Sequence, residues 1–152
     1  MTLTTGECAP DFSLSDFQGN RVRLSDFRGQ WLVVYFYPRD NTPGCTKEAQ
    51  GFRDAYEDYQ SRNIAILGVS TDDAKSHAKF SQKHQLPFPL LCDENATVAI
   101  AYESYGLKKF MGKEFMGVYR STFLIDPEGK IEKIYRKVKP ANHAAQILED
   151  FD

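Results

Sequence analysis

One cysteine of this chain stands where a thiol is most easily turned into a nucleophile. Cys45 follows Thr42-Pro43-Gly44, at the point where a buried strand should give way to a helix. The strand is the run Trp31 to Tyr37, whose near-continuous apolar character reads as burial on both faces. Pro38 ends it, because proline has no N–H to offer a sheet ladder. The helix is expected to begin near Cys45 and to carry Ala49, Phe52, Ala55, Tyr56 and Tyr59 as one apolar stripe. N–H groups in a first helical turn have no intrahelical acceptor and form the positive end of the helix dipole, so a thiol there is drawn toward its anion.

Ionisation alone has a bounded effect. An ordinary thiol is about 3% ionised at pH 7, so complete ionisation speeds its reactions by about thirtyfold. Faster chemistry needs donors aimed at the atoms that gain charge in the transition state. Thr42, three residues before Cys45, has a hydroxyl that can donate and accept. A fixed cation has to come from elsewhere. Arg120 is the candidate, standing immediately before Ser121-Thr122-Phe123-Leu124-Ile125-Asp126, a second buried strand. The turn Pro127-Glu128-Gly129 and a further strand, Lys130 to Tyr135, follow as an antiparallel hairpin.

With these residues in view, the chain resembles a peroxiredoxin of the Q type, the bacterioferritin comigratory protein group. Pro38, Thr42 and Cys45 match the proline–threonine–cysteine signature, and Arg120 matches the arginine ahead of Ser-Thr-Phe-Leu-Ile-Asp. Ala9-Pro10-Asp11-Phe12-Ser13-Leu14 and Leu24-Ser25-Asp26-Phe27-Arg28-Gly29 match as well, so the likeness runs from about residue 6 to the end. It implies a thioredoxin-like α/β fold, a central mixed β-sheet flanked by helices with an N-terminal β-hairpin. It also implies reduction of hydrogen peroxide and organic hydroperoxides without metal or cofactor. Cys45 would be the peroxidatic thiolate, oxidised to a sulfenic acid. Thr42 would hydrogen-bond the thiolate and the peroxide, and Arg120 would hold the thiolate and polarise the O–O bond. Gly44 would supply a backbone donor and close approach, Pro38 would cover the pocket, and Glu48 would orient Arg120 or Thr42.

The chain departs from that pattern at the resolving cysteine. Many members carry it five residues after the first, where this chain has Gln50, and others place it on a later helix, here Asp73 to His84, which has none. Cys92, on a short strand from Pro89, would lie about two strands from Trp31–Tyr37, roughly 10 Å away at about 4.8 Å per strand. A disulfide needs Cα atoms within about 7 Å. Cys92 therefore reads as a small buried apolar residue, and Cys8 as an inert exposed thiol in a mobile N-terminal segment. Either is a resolving candidate only by default. The expected reductant is an external thiol: thioredoxin, glutaredoxin or glutathione. The alternative is a non-enzymatic peroxide sensor or holdase that signals through Cys45 oxidation.

Composition sets outer limits. At 152 residues the chain is read as one domain, residues 1–152. A net charge of −2 from 19 basic and 21 acidic residues argues against a nucleic-acid or membrane-surface role. The opening Met-Thr-Leu-Thr-Thr lacks the regions of a secretory signal, and three cysteines without framework spacing suit a reducing compartment, so the expectation is a cytoplasmic protein. A monomer is expected, with a weak dimer as the alternative.

The remaining elements read as strands alternating with helices. Phe12–Ser15 and Arg21–Leu24 flank a hairpin signal at Phe17-Gln18-Gly19-Asn20, and Ile64–Ser70 is a buried strand. A helix begins near Asn95, and Pro140–Asp150 is the last helix. His77, His84 and His143 have no ligand spacing and read as surface histidines. Phe110 to Gly117 reads either as packing under a loop or as an apolar collar at the pocket mouth. A disulfide reductase of the thioredoxin kind would need Cys-x-x-Cys, and Glu48 occupies that position. A Cys/His hydrolase would need a histidine near Cys45 in sequence, and there is none.

Overall fold

The structure, a computed structural model, describes residues 2–151, so the first and last residues of the expected unit, Met1 and Asp152, lie outside the described residues. Its framework is a seven-stranded mixed sheet. In chain order its strands are β1 (Ser13–Asp16), β2 (Arg21–Arg23), β3 (Trp31–Phe36), β4 (Ile64–Ser70) and β5 (Leu90–Cys92), with β8 (Ser121–Ile125) and β9 (Ile131–Arg136) closing it. The spatial order is β2-β1-β5-β4-β3-β8-β9. β3 runs parallel to β4 and antiparallel to β8, and β4 runs parallel to β5. Helices α1 (Pro43–Asp54), α2 (Tyr56–Ser61), α3 (Ala74–His84), α4 (Thr97–Ala101) and α5 (His143–Phe151) pack around it. β3 has buried residues on both faces, as its continuous apolar run requires. Val33 and Tyr35 join one core with Ala49, Phe52 and Ile147, while Leu32, Val34 and Phe36 join the other with Val98 and Tyr102.

Register brings the expected site together. Phe36 pairs with Ser121 and Tyr35 with Thr122, so β8 starts beside the end of β3. The loop leaving β3 and the residue entering β8 therefore meet at the same end of the sheet, where β3 finishes. α1 starts earlier than expected, with Thr42 as N-cap and Pro43 as the first helical residue. Proline is favoured there because its φ is preset and its missing N–H would have had no acceptor. Cys45 is thus the third residue of α1. The helix also does not run unbroken to Tyr59. Ala55 (φ −94°, ψ 2°) separates α1 from α2.

Two further expectations are overturned. The N-terminal segment is pinned rather than mobile: Gly6 N–H donates to Ile131 O at 2.7 Å, Ile131 N–H to Glu7 O at 2.8 Å, and Ala9 N–H to Gly129 O at 2.9 Å. These are backbone bonds, which leave no mark on side-chain pattern. The segment Phe110–Gly117 is not packed under a loop. It belongs to a separate two-stranded hairpin of β6 (Tyr105–Phe110) and β7 (Lys113–Val118). The turn residues Met111 and Gly112 both have positive φ (52° and 78°), the geometry that suits the twist of a two-residue hairpin. Asn-Gly signals such a turn in sequence; Met-Gly does not.

Candidate active site

Cys45 lies at the start of α1 with its residue only 1% exposed. Arg120 reaches over from the start of β8. Its Nη2 donates to Cys45 Sγ at 3.3 Å and its Nη1 to Glu48 Oε1 at 2.7 Å. Cys45 and Glu48 are three residues apart on one helix and so share a face. That spacing lets a single guanidinium serve the thiol and the carboxylate together. Of the two partners expected for Glu48, the structure gives it Arg120.

The electrostatics are those of a crowded, dry site. Burial pushes the Glu48 carboxyl pKa up, Arg120 draws it back only in part, and it stands at about 7. Its second oxygen, Oε2, is buried with no hydrogen-bond partner among the described residues. Burial also works against the Arg120 charge, but Glu48 and Cys45 outweigh it and hold its pKa above the ordinary value. Gly44 is required by space: a Cβ there would lie 3.1 Å from Arg120 Nη2 and 3.4 Å from Pro140 Cγ.

Thr42 is oriented differently from the expectation. Its hydroxyl donates to Arg39 O at 2.9 Å, so its one proton is not turned to the thiol. The left-handed Asn41 (φ 62°) folds the loop back and brings that carbonyl into reach. Toward a ligand the Thr42 oxygen can still accept. Thr42 also makes no side-chain capping bond, so the N–H groups of Gly44 and Cys45 keep no intrahelical acceptor.

Pro38 lines a cavity of about 260 Å³ together with Tyr105, Lys108, Phe115 and Met116 of the β6–β7 hairpin. Phe110, Phe115 and Met116 are exposed at 68%, 46% and 57%, so the hairpin offers an apolar surface on that side. Lys108 is a residue the sequence did not single out. Burial and Arg120 lower its pKa, while Cys45 pulls it the other way, which places a second cation within the field of the thiol. A lysine within an unrecognised hairpin carries no local signal for this.

The other cysteines are free. Cys92 is half-buried rather than buried, paired in register with Ser15 and Ser70, and β5 is two places from β3. Burial first, then the nearby Glu94, Asp73, Asp16 and Asp40 carboxylates, push its thiol to about 11, so it is protonated at neutral pH. Cys8 is exposed and bridged to Lys130. Gln50, at the position of the absent resolving cysteine, holds His84 Nδ1 at 3.4 Å through Nε2.

The histidines are not surface residues. His77 is wholly buried and His143 is 2% exposed, while His84 is half-buried. His77 Nδ1 meets Asp40 Oδ2 at 2.7 Å and its Nε2 meets Leu91 O at 3.0 Å, and His143 Nε2 meets Thr122 Oγ1 at 2.8 Å. Hydrogen-bond partners distant in sequence draw them inside, which ligand spacing cannot reveal. Among the described residues no group of three or more His, Cys, Asp and Glu is placed to hold a metal ion. No helix among them is long and apolar enough to cross a membrane.

Known proteins resemble this chain along nearly its whole length. The AhpC/TSA family model matches residues 5–134. Peroxiredoxin Bcp of Bacillus subtilis is 49% identical over 149 residues, 98% of this chain and 95% of that protein. Peroxiredoxin Bcp of Escherichia coli K12 is 43% identical over 146 residues, 96% and 94% of the two chains. The Xanthomonas campestris bacterioferritin comigratory protein, solved as trapped intermediate and ligand complexes to explain alkyl peroxide reduction, superposes with a TM-score of 0.89. It is 38% identical, and the match covers 97% of this chain and 96% of that one.

Proposed function

The chain belongs to the AhpC/TSA family, among its Bcp peroxiredoxins, and from that premise we propose a peroxidase cycle centred on Cys45 in a single domain. It is a thiol-dependent peroxidase with a thioredoxin-like fold. The Cys45 thiolate attacks the outer oxygen of a hydroperoxide. The O–O bond breaks, Cys45 becomes a sulfenic acid, and the departing hydroxide or alkoxide takes a proton from solvent to leave as water or an alcohol. Arg120 stabilises the thiolate before the attack and the charge on the parting oxygens during it. The unpaired N–H groups of Gly44 and Cys45 add donors at the same end of α1, and the Thr42 oxygen accepts a hydrogen bond from the hydroperoxide O–H. Glu48 fixes the guanidinium from behind.

The observation that carries this reading is the single guanidinium that bonds Cys45 Sγ at 3.3 Å and Glu48 at 2.7 Å. Organic hydroperoxides are proposed as substrates beside hydrogen peroxide, because the exposed Phe115 and Met116 share with Pro38 the lining of one cavity of mixed polarity and the Xanthomonas relative is tied to alkyl peroxides. An external thiol, from thioredoxin, glutaredoxin or glutathione, returns Cys45 to its reduced state in a monomeric cytoplasmic protein. Intact mass spectrometry after one equivalent of peroxide, with dimedone, tests the cycle. A dimedone adduct on Cys45 without a disulfide is expected. A two-dalton loss mapped to Cys45 with Cys8 or Cys92 would replace the external thiol by an internal one.

A further inference from the structure

We infer that the basic cavities beside Arg120 dock the carboxylates of a small anionic thiol that resolves oxidised Cys45, an inference that rests on the peroxidase reading above. The first cavity, of about 400 Å³, is lined by Lys108, Arg120, Arg136 and Lys137, with Glu103 as its one acidic residue. The second, of about 420 Å³, shares Arg136 and Lys137 and adds Lys139 with no acidic residue. Glu103 is already engaged, accepting from Arg136 Nη2 at 3.1 Å and from Leu3 N–H at 3.1 Å. Lys137 and Lys139 make no ion pair among the described residues, and both are exposed. Arg120 and Arg136 are each held by a carboxylate, Glu48 and Glu103, so the positive charge left for a ligand is that of Lys108, Lys137 and Lys139.

The field is joined to the chemistry in two places. Arg120 belongs to the first cavity and bonds Cys45 Sγ. The run Arg136-Lys137-Val138-Lys139 leads into Pro140, whose Cγ would lie 3.4 Å from a Cβ on Gly44, so it passes over the start of α1. A ligand with its anionic groups on Lys137 and Lys139 therefore has its other end at the peroxidatic turn.

What that end must carry follows from what the chain lacks. Cys92 is held protonated two strands away. Cys8 pairs with Lys130 beside the start of β9, whereas Arg136 ends that strand, a separation on the order of 20 Å at about 3.3 Å per residue. The thiol must come from outside, and a sulfur in a residue 1% exposed favours a slim molecule over a folded partner. In the resolving step the thiolate attacks Cys45 sulfur. The S–O bond breaks, an S–S bond forms, and hydroxide leaves as water with the thiol's proton. A second thiol then attacks the mixed disulfide, freeing Cys45 and oxidising two thiols for each peroxide reduced.

The test oxidises the full chain with one equivalent of hydrogen peroxide and follows sulfenic acid loss by quenched mass spectrometry. Glutathione, its N-acetylated and therefore uncharged diethyl ester and 2-mercaptoethanol are compared at equal thiolate concentration. Glutathione is expected to react about tenfold faster than the ester, an advantage that shrinks with added salt. It should be lost in Lys137→Glu/Lys139→Glu while the ratio of ester to 2-mercaptoethanol stays put. Rates for glutathione and ester within twofold, or a charge advantage that survives in the double variant, overturn the inference. So does discrimination that shows instead in the oxidation step, between a carboxylate-bearing hydroperoxide and its ester, because the cavity then belongs to the oxidant. Failure to form any sulfenic acid overturns the peroxidase reading itself and this inference with it.

Discussion

Two buried carboxylates lie in sequence on either side of the turn that carries Cys45, each paired with a nitrogen 2.7 Å away, and the two pairs are completed to different degrees. Asp40 receives Tyr37 Oη at 2.6 Å, Ser76 Oγ at 2.8 Å and His77 Nδ1 at 2.7 Å, and His77 passes on to Leu91 O. Burial works against the Asp40 charge, but these hydrogen bonds outweigh it and hold its pKa below the ordinary value. Glu48 has only Arg120, one of its oxygens has no partner, and burial wins. A fully paired buried network fixes a unique structure, while an incomplete one leaves charge available for other work. The first pair anchors the loop that leads into the site, and the second is spent on the thiol.

Cys45→Ser should break the site completely: peroxide consumption falls to the background rate, and Cys8→Ser and Cys92→Ser leave the first oxidation step intact. Peroxide loss in single-turnover assays decides it. Loss of that step in either control variant would move the chemistry away from Cys45. His77→Ala tests the other side. Removing one partner of a buried pair costs about 3–5 kcal/mol, so denaturant unfolding should show a loss of that order. The folded fraction should oxidise within about threefold of the wild-type rate. A rate loss larger than the stability loss would erase the division between the two pairs.

The sequence revealed the second pair better than the first, for a physical reason. Cys45 sits in local signals that are read residue by residue, a buried strand, a proline stop and a helix start, and Arg120 precedes a second buried strand. Glu48 lies within three residues of the cysteine, so its candidate partners were few. The Asp40–His77 pair joins residues 37 apart, and it forms where α3 packs beside the end of β3, with His77 and Phe80 against Tyr37. The same holds for Lys108, whose nearness to Cys45 depends on a hairpin whose Met111-Gly112 turn gives no sequence signal. The resemblance gives the Thr42 hydroxyl to the thiolate, but the loop offers that hydroxyl the Arg39 carbonyl at 2.9 Å.

Arg120→Met should sharpen the comparison by removing the link between carboxylate and thiol. Loss of one transition-state donor typically costs about a hundredfold or more, near 2.7 kcal/mol in the barrier, and stopped-flow oxidation kinetics would show it. Stability should fall less than for His77→Ala, because the stranded Glu48 can take up a proton where His77 leaves an ionised Asp40. An oxidation rate within about threefold of wild type would make Arg120 a structural residue and leave the site without its cation.

Glu48→Gln has the most specific sign, because its effect grows from nothing in acid across one pH window. The folded Glu48 carboxyl keeps its proton up to about 7, whereas an unconstrained one releases it near 4.5. Between those values the folded state binds more protons than the unfolded state, so stability falls as pH rises. The slope is at most about 1.4 kcal/mol per pH unit and accumulates to about 3 kcal/mol across the window. The glutamine variant cannot titrate there, so its stability curve should lack that decline and converge with the wild type's most closely at the acid end. Asp40→Asn supplies the opposite sign: Asp40 has a lowered folded pKa, so the wild type gains that group's stabilisation as pH rises through the carboxylate range and loses it in acid. Urea midpoints measured from about pH 2 to 8 for both variants would show the two slopes, that of Asp40 below its ordinary value of 3.8 and that of Glu48 between 4.5 and about 7. If both ran the same way, the contrast between a completed pair and an incomplete one would not hold.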